Sequence, residues 1–369
     1  NQSMTAQQHP SQQRFLSLFK TQLSLKYPLI QAPMAGVQDH RLAAAVSNAG
    51  GLGSLPAAML SLEALKSELT QLSTKTSQPF NVNFFCHTPA VVDEAREKAW
   101  RAALKPYYDE LGLDTDKIPS GPGRAPFSHD AADILEVFKP AVVSFHFGLP
   151  AADLLARVKS WQSWGCNIIS SATTVEEALW LEAQGVDAVI AQGLEAGGHR
   201  GHFLDQDLTR QLGTFALLPQ IVQAVKIPVI AAGGIGDAAG VAAAFALGAA
   251  AVQVGTAYLL CDEATTSSIH RTALKSDVAQ HTALTNLFTG RPARGMVNRI
   301  MRELGPMSNL APAFPLATGA IEPLRAKAES LGNLGSGDFL LLCSGQNANG
   351  CRDIGAAQMT KALVALLKS

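Results

Sequence analysis

Apolar residues gather in eight short runs over the first 260 or so positions, and between the runs apolar residues recur at helical spacing. The runs cover 28–35, 52–55, 80–86, 141–148, 167–172, 188–193, 228–234 and 251–257. None has the strict apolar–polar alternation of a half-exposed strand. Each reads as a strand buried on both faces, as in parallel sheets. The stretches between them predict helices. Leu42, Ala45, Val46 and Ala49 fall on one helical face, and Gly50-Gly51 ends it. Ser61, Thr174 and Asp237 stand at N-cap positions. Thr174-Val175-Glu176-Glu177 reads as a capping box, with Gly185 at the stop of the same helix. Further helices are expected over 90–111, 130–138, 150–164 and 214–225, and a lead-in helix or strand over 16–26.

Eight strand–helix units predict an α/β fold, a (β/α)8 TIM barrel with reactive groups on the loops that follow the strands. An open doubly wound sheet usually carries its glycine fingerprint after the first strand. Here the first run ends in Ala32-Pro33-Met34, and the glycines cluster after runs six, seven and eight. The rhythm is lost after about 262. The stretch 114–127 reads as an inserted Pro/Gly-rich loop, 265–275 as a helix, and 289–304 as a basic amphipathic stretch with Arg291, Arg294, Arg299 and Arg302 on a solvated face. The expected organisation is a barrel over 28–262, an added, mostly helical subdomain over 263–345 across its mouth, and a closing helix within 346–369 packed on the barrel.

Composition narrows the function. The chain has 369 residues, 47% of them hydrophobic and 16% charged, with a formal net charge of −1. A large core is therefore available, and no electrostatic footprint for nucleic acid is present. The apolar stretch 241–260 is long enough to span a membrane, but Gly248, Gln253, Gly255 and Thr256 break it into helix, turn and strand. The cysteines at 86, 166, 261, 343 and 351 form no Cys-x-x-Cys pair, which indicates neither a metal site nor a disulfide framework. The polar, Gln-rich stretch 1–11 lacks the apolar core of a signal peptide, so a reducing cytoplasm is expected.

The candidate chemistry lies at the ends of the runs. After the sixth, Gly197, Gly198 and Gly201 surround His199 in Ala-Gln-Gly-Leu-Glu-Ala-Gly-Gly-His-Arg-Gly (191–201). Glycine permits close approach of backbone to a ligand, and imidazole exchanges protons near neutral pH. Gly233-Gly234 and Gly255-Thr256 follow adjoining strands seven and eight, where barrels bind phosphate. Asn83 and Gln192 end strands three and six with amides able to pair with a planar ring, and Ala32-Pro33-Met34 adds apolar contact and backbone donors. Together they fit flavin mononucleotide (FMN). His146, at the end of strand four, is a candidate substrate contact. Arg200 reads as solvated, His202 as exposed, Glu195 as a residue orienting its loop through backbone N–H groups, and Ser170 and Ser171 as strand-end residues.

QAPMAG (31–36), NVNFF (81–85), AQGLEAGGHRG (191–201), AAGGI (231–235) and QVGTA (253–257) together resemble the nitronate monooxygenases, formerly called 2-nitropropane dioxygenases. LAPAFPLATGA (310–320) resembles the class I branch. The resemblance implies an FMN-dependent enzyme that oxidises alkyl nitronates, propionate 3-nitronate among them, and nitroalkanes with O2 to carbonyl compounds and nitrite or nitrate. It implies His199 as the catalytic histidine, and Asn83, Gln192, Gly197, Gly234, Gln253, Val254, Gly255 and Thr256 as FMN contacts with the Ala32–Met34 turn beside the flavin. A monomer or homodimer without metal is expected. A positioned imidazole can take the acidic α-proton of a nitroalkane. A nitronate is already an anion, so a protonated His199 would instead help hold its negative charge. EAGGHRG also occurs in NAD(P)H-dependent FMN barrels of the enoyl-acyl carrier protein reductase and quinone reductase types, which stand as the alternative. A flavin-binding protein without catalysis is the remaining one.

Overall fold

Every apolar run becomes a strand. In a computed structural model that describes residues 25–119, 123–332 and 337–367, the strands are β1 (Leu29–Gln31), β2 (Gly53–Pro56), β3 (Phe80–Phe85), β4 (Val142–His146), β5 (Asn167–Ala172), β6 (Ala188–Gln192), a two-residue β7 (Gly198–His199) outside the main sheet, β8 (Val229–Ala232) and β9 (Ala251–Val254). Eight of them form one sheet in the order β1-β9-β8-β6-β5-β4-β3-β2. The pairings are parallel, and the Ile30–Leu52 bridge with Gln31 N donating to Leu52 O at 2.9 Å joins the two ends. The result is a barrel rather than an open sheet.

The expected helices are α1 (His40–Asn48), α2 (Leu62–Lys75), α3 (Glu94–Glu110), α4 (His129–Phe138), α5 (Ala152–Lys159), α6 (Val175–Ala183), α7 (Thr214–Ala224) and α8 (Ala238–Ala246). Ser61, Thr174 and Asp237 each accept a backbone N–H in the first turn, as N-caps do. The capping box is only half made. Thr174 accepts from Glu177 N, but the Glu177 carboxylate turns away from the cap to accept from Thr173 N at 2.8 Å and Phe203 N at 2.5 Å. A buried carboxylate takes the donors that most need it. Of the lead-in element over 16–26, all but the last two residues lie outside the described residues.

Strand parity decides what each residue faces. Ile30, Leu52, Val142, Ile169, Ala188, Ile190, Ile230 and Ala251 fill the barrel interior as one cluster. Their odd–even neighbours Leu29, Leu55, Val82, Val143, Ile168, Val189, Val229 and Val252 pack outward under the helices. The same parity sends Asn83, Ser144, His146, Gln192 and Gln253 inward at the strand ends.

After the barrel come α9 (Ser268–Leu274), β10 (Thr282–Thr285), β11 (Ala293–Met296), α10 (Arg299–Leu304), α11 (Thr318–Ser330) and α12 (Ala356–Leu363). Helices are present as expected, and so is a small sheet the pattern does not predict. β10 and β11 pair antiparallel, and β11 pairs with β7. The basic stretch 289–304 is thereby divided. Arg299 and Arg302 belong to the short helix α10, whereas Arg294 is a strand residue only 5% exposed, with Nε donating to Leu194 O at 3.0 Å. This region shares a second core with α3: Trp100, Leu104 and Tyr108 pack with Ile300, Ile321 and Leu324, and Tyr108 OH donates to Ala320 O at 2.6 Å. Among the described residues no helix is long and apolar enough to cross a membrane.

One close approach tests this account. A Cβ on Gly53 would lie 1.9 Å from the carbonyl oxygen of Ala43 in α1, which no side-chain rotation relieves. Gly53→Ala should lower stability by about 2 kcal/mol or more, read as a reduced urea midpoint. An unchanged midpoint would mean that β2 and α1 are not held so closely.

Candidate active site

At the C-terminal end of the barrel a cavity of about 620 Å3 opens between the strand ends and the segments that follow β9. Strand parity and the loop glycines bring the predicted residues together there. Ala32, Pro33, Met34, Asn83, His146, Gln192, Gly197, Gly198, His199, Gly233, Gly234, Gln253, Gly255 and Thr256 all line it. Val254 does not. Its side chain packs in the outer core, and only its carbonyl turns to the rim, accepting from Ala32 N at 2.8 Å.

The His199 loop is held from behind. Arg200 is fully buried, contrary to its reading as solvated. Its Nη1 donates to Gly193 O at 2.7 Å, Nη2 to Gln192 O at 3.0 Å and Nε to Gln211 Oε1 at 2.9 Å. These are the last carbonyls of β6 and its turn, which no ladder partner satisfies. His202 is likewise buried rather than exposed, its Nε2 donating to Gln206 Oε1 at 3.2 Å. Glu177 closes the loop by accepting from Phe203 N and Leu204 N. Glu195 behaves as expected: both its oxygens accept from Thr214 N, at 2.8 and 3.1 Å.

Two predicted ligand contacts are occupied within the protein. Gln192 donates through Nε2 to His199 O at 2.9 Å and accepts from Gly201 N at 2.7 Å. His146 Nε2 also faces His199 O, at 3.1 Å, so that nitrogen carries the proton, and Nδ1 accepts from Ser171 Oγ at 3.1 Å. Both side chains border the cavity, and both fix the backbone of His199. Asn83 Nδ2 donates to Ser144 Oγ at 2.9 Å, and its Oδ1 has no partner among the described residues.

The imidazole of His199 is fixed at one corner. Nε2 lies 2.8 Å from Thr289 Oγ1, and Nδ1 has no partner among the described residues. The ring is flanked by Phe314, Phe85 and Phe147, with centroids 5.3, 6.0 and 6.1 Å away. Phe147 is held at φ 69°, which a bulky residue rarely adopts, and the Arg291 guanidinium stacks 4.0 Å over its ring. Arg124, on the cavity wall, stacks over Phe314 at 5.8 Å. Neither arginine has a carboxylate partner among the described residues. Burial, then the Arg124 charge, with His146, Arg291 and His87 adding, hold the His199 pKa well below its usual value. Burial similarly takes His146 down to about 3. Both rings are neutral at physiological pH.

The opposite end of the cavity is built from backbone. Gly233 and Gly234 have φ of 108° and 79°, conformations that need glycine. Gly345 N donates to Thr256 Oγ1 at 2.9 Å, Asn347 Nδ2 donates to Gly234 O at 3.2 Å, and Gln346 N donates to Glu195 O at 2.9 Å. This 344–347 segment was not predicted. Its only signal is the turn-rich Ser-Gly-Gln-Asn-Ala-Asn-Gly. A Cβ on Gly197 would meet Gly345 N at 2.6 Å, so the two segments touch. Gln253 Oε1 is buried without a partner, an atom that asks for a ligand donor. A glycine cradle at one end, an orphaned amide oxygen between and a neutral histidine at the other suit an elongated ligand with a phosphate tail.

Comparison with known proteins follows the same lines. The nitronate monooxygenase family model matches residues 17–365. The chain belongs to the nitronate monooxygenase family. A nitronate monooxygenase of Paraburkholderia phytofirmans is 43% identical over 351 residues, covering 94% of this chain and 93% of its own. The structure of nitroalkane oxidase from Streptomyces ansochromogenes is similar at a TM-score of 0.84 and 38% identity, covering 95% of this chain and 97% of that one. FabK from Thermotoga maritima is similar at a TM-score of 0.66 and 26% identity, covering 95% and 94%. Membership of the nitronate monooxygenase family makes this chain an oxidoreductase acting on nitronates or nitroalkanes.

The neutral histidines have a measurable consequence. An unfolded histidine takes up a proton below about pH 6.5, whereas folded His146 does so only near about pH 3. Its contribution to stability is full above the unfolded value and is lost as pH falls between the two. The urea midpoint should therefore drop from pH 7.5 to pH 4.5, and His146→Gln, which keeps a donor for His199 O, should drop less. Parallel drops in both proteins would show that His146 is not buried neutral.

Proposed function

We propose that the protein binds FMN in this cavity and oxidises alkyl nitronates, and nitroalkanes after deprotonation, with O2 to carbonyl compounds and nitrite or nitrate. The observation that carries the reading is the placement of His199. A neutral imidazole, its backbone pinned by Gln192 and His146, borders the same cavity as the glycine cradle. Gly233, Gly234, Gly255 and Thr256 would hold the FMN phosphate, and Asn83 Oδ1 and Gln253 would meet the polar edges of the ring system. Bound FMN would supply the one-electron chemistry that lets a singlet substrate react with O2.

The protein's own groups do the rest. Phe85, Phe147 and Phe314 exclude water from around His199. Arg124 and Arg291 make no ion pair among the described residues, and the acids on the cavity wall, Glu322 and Glu329, are paired with Arg325, which suits an anion beside His199. With a neutral nitroalkane, His199 Nδ1 takes the α-proton and the C–H electron pair moves into the C=N bond of the nitronate. With a preformed nitronate no base is needed, and Nδ1–H donates to the anion. The rival reading is a barrel reductase driven by NAD(P)H. Anaerobic bleaching of the yellow protein by ethyl nitronate but not by NADH decides for the first, and the reverse decides for the second.

His199→Asn should keep its visible flavin spectrum. Its kcat/KM for neutral nitroalkanes should fall by about a hundredfold or more, and that for nitronates far less. Equal losses on the two substrates would refute the base role. Gln253→Leu, which keeps the volume and removes the amide, should weaken FMN binding by about tenfold when apoprotein is titrated with FMN. Unchanged affinity would place the ring elsewhere.

A further inference from the structure

Thr289 reaches His199 from the turn that leads into β11 and is only 3% exposed. Its hydroxyl lies 2.8 Å from His199 Nε2. The same oxygen is 3.4 Å from Arg291 N, a donor, and 3.4 Å from Arg291 O, an acceptor. A hydroxyl has one proton to give and lone pairs to receive with. Thr289 therefore satisfies either tautomer of the ring. It can accept from Arg291 N and donate to a bare Nε2, which leaves the proton on Nδ1. It can equally donate to Arg291 O and accept from Nε2–H, which leaves Nδ1 bare.

We propose that Thr289 is a tautomer-switching, positioning residue that lets one imidazole serve two substrate forms without moving. The bare Nδ1 state is the base for a neutral nitroalkane. The proton passes from the substrate α-carbon to Nδ1, the C–H pair enters the C=N bond, and Nε2–H already rests on Thr289. The protonated Nδ1 state is the hydrogen-bond donor for a nitronate that arrives as an anion. Among the described residues no other group offers this choice: His199 O is held by Gln192 and His146, and the ring's contacts besides Thr289 are phenylalanines. Arg124, Arg291, His87 and His146 around it disfavour a second proton on the ring, so the choice is between neutral tautomers.

The proposal rests on His199 facing the substrate, and its test separates the two ideas. Thr289→Val is isosteric and removes the hydroxyl. With Oγ1 gone an Nε2–H would have no acceptor, whereas Nδ1–H can donate into the cavity that His199 lines, so the variant should collect in the Nδ1–H tautomer. In 15N spectra of imidazole-labelled holoprotein, with the His199 signals assigned against His199→Asn, wild type should show both ring nitrogens intermediate between protonated and bare. Thr289→Val should move Nδ1 to the protonated position and Nε2 to the bare one, and Thr289→Ser should restore the wild-type pattern. The loss of kcat/KM in Thr289→Val should be about tenfold greater for nitroethane than for ethyl nitronate, and Thr289→Ser should recover it. A single fixed tautomer in wild type overturns the proposal even if Thr289→Val fails to fold, as does a substrate ratio that Thr289→Val leaves unchanged. A wild type that oxidises neither compound refutes the functional reading, while the spectra still report on Thr289.

Discussion

The site depends on one buried cation. Arg200 makes no ion pair with a carboxylate among the described residues and is spread over the carbonyls of Gln192 and Gly193 and the amide oxygen of Gln211. A guanidinium with no access to water is costly unless its planar fork is filled. Filling it forces the chain after β6 to fold back on the strand it has just left. Residue 199 then stands over the mouth of the barrel, and β7 can pair with β11. The barrel supplies rigidity, but this retracing loop turns a strand-end histidine into one that borders a cavity.

The same economy of polar groups explains why the imidazole is neutral. Glu177 and Glu195 are engaged elsewhere, Glu177 by the N–H groups of Thr173, Phe203 and Leu204 and Glu195 by that of Thr214. They anchor loops and do not approach the histidines. What remains near the His199 ring is the neutral Thr289 hydroxyl and groups that are aromatic or cationic. Arg124 and Arg291 have no ion-pair partner among the described residues, and an anion beside His199 would supply one. Affinity for an anion and low basicity of the histidine thus share one cause. Under the proposed function, a pocket that takes the nitronate would also hold the base unprotonated for the neutral form.

Much of this was legible from residue patterns. Unbroken apolar runs specified parallel strands, with Asn83, His146, Gln192 and Gln253 at their ends; that strand parity turns Val254 outward was missed, and Val254 had been expected among the FMN contacts. Loop glycines marked the cradle. Burial of Arg200 and His202 was not legible, because it is decided by Gln211 and Gln206 on the returning chain and leaves no period in the sequence. The division of 289–304 was hidden for a similar reason. Its strand is fixed by pairing with β10 on one side and with Gly198 and His199 on the other, partners distant in the chain. Thr289, and the 344–347 segment that meets Thr256 across about ninety residues, carry no local mark of their role.

The two ends of the cavity differ in kind. The cradle is backbone from β6, β8 and β9 loops and the 344–347 segment, where a side chain would collide with main chain, as at Gly197. Such a surface has few ways to vary. The wall around His199 is made of side chains from insertions: Arg124 from the β3–α4 connection, and Thr289, Arg291 and Phe314 from the region after the barrel. Each can change without disturbing a strand. If the cradle holds the proposed cofactor, a barrel organised this way would keep that grip while its added segments varied the substrate, because main chain fixes the first and replaceable side chains the second.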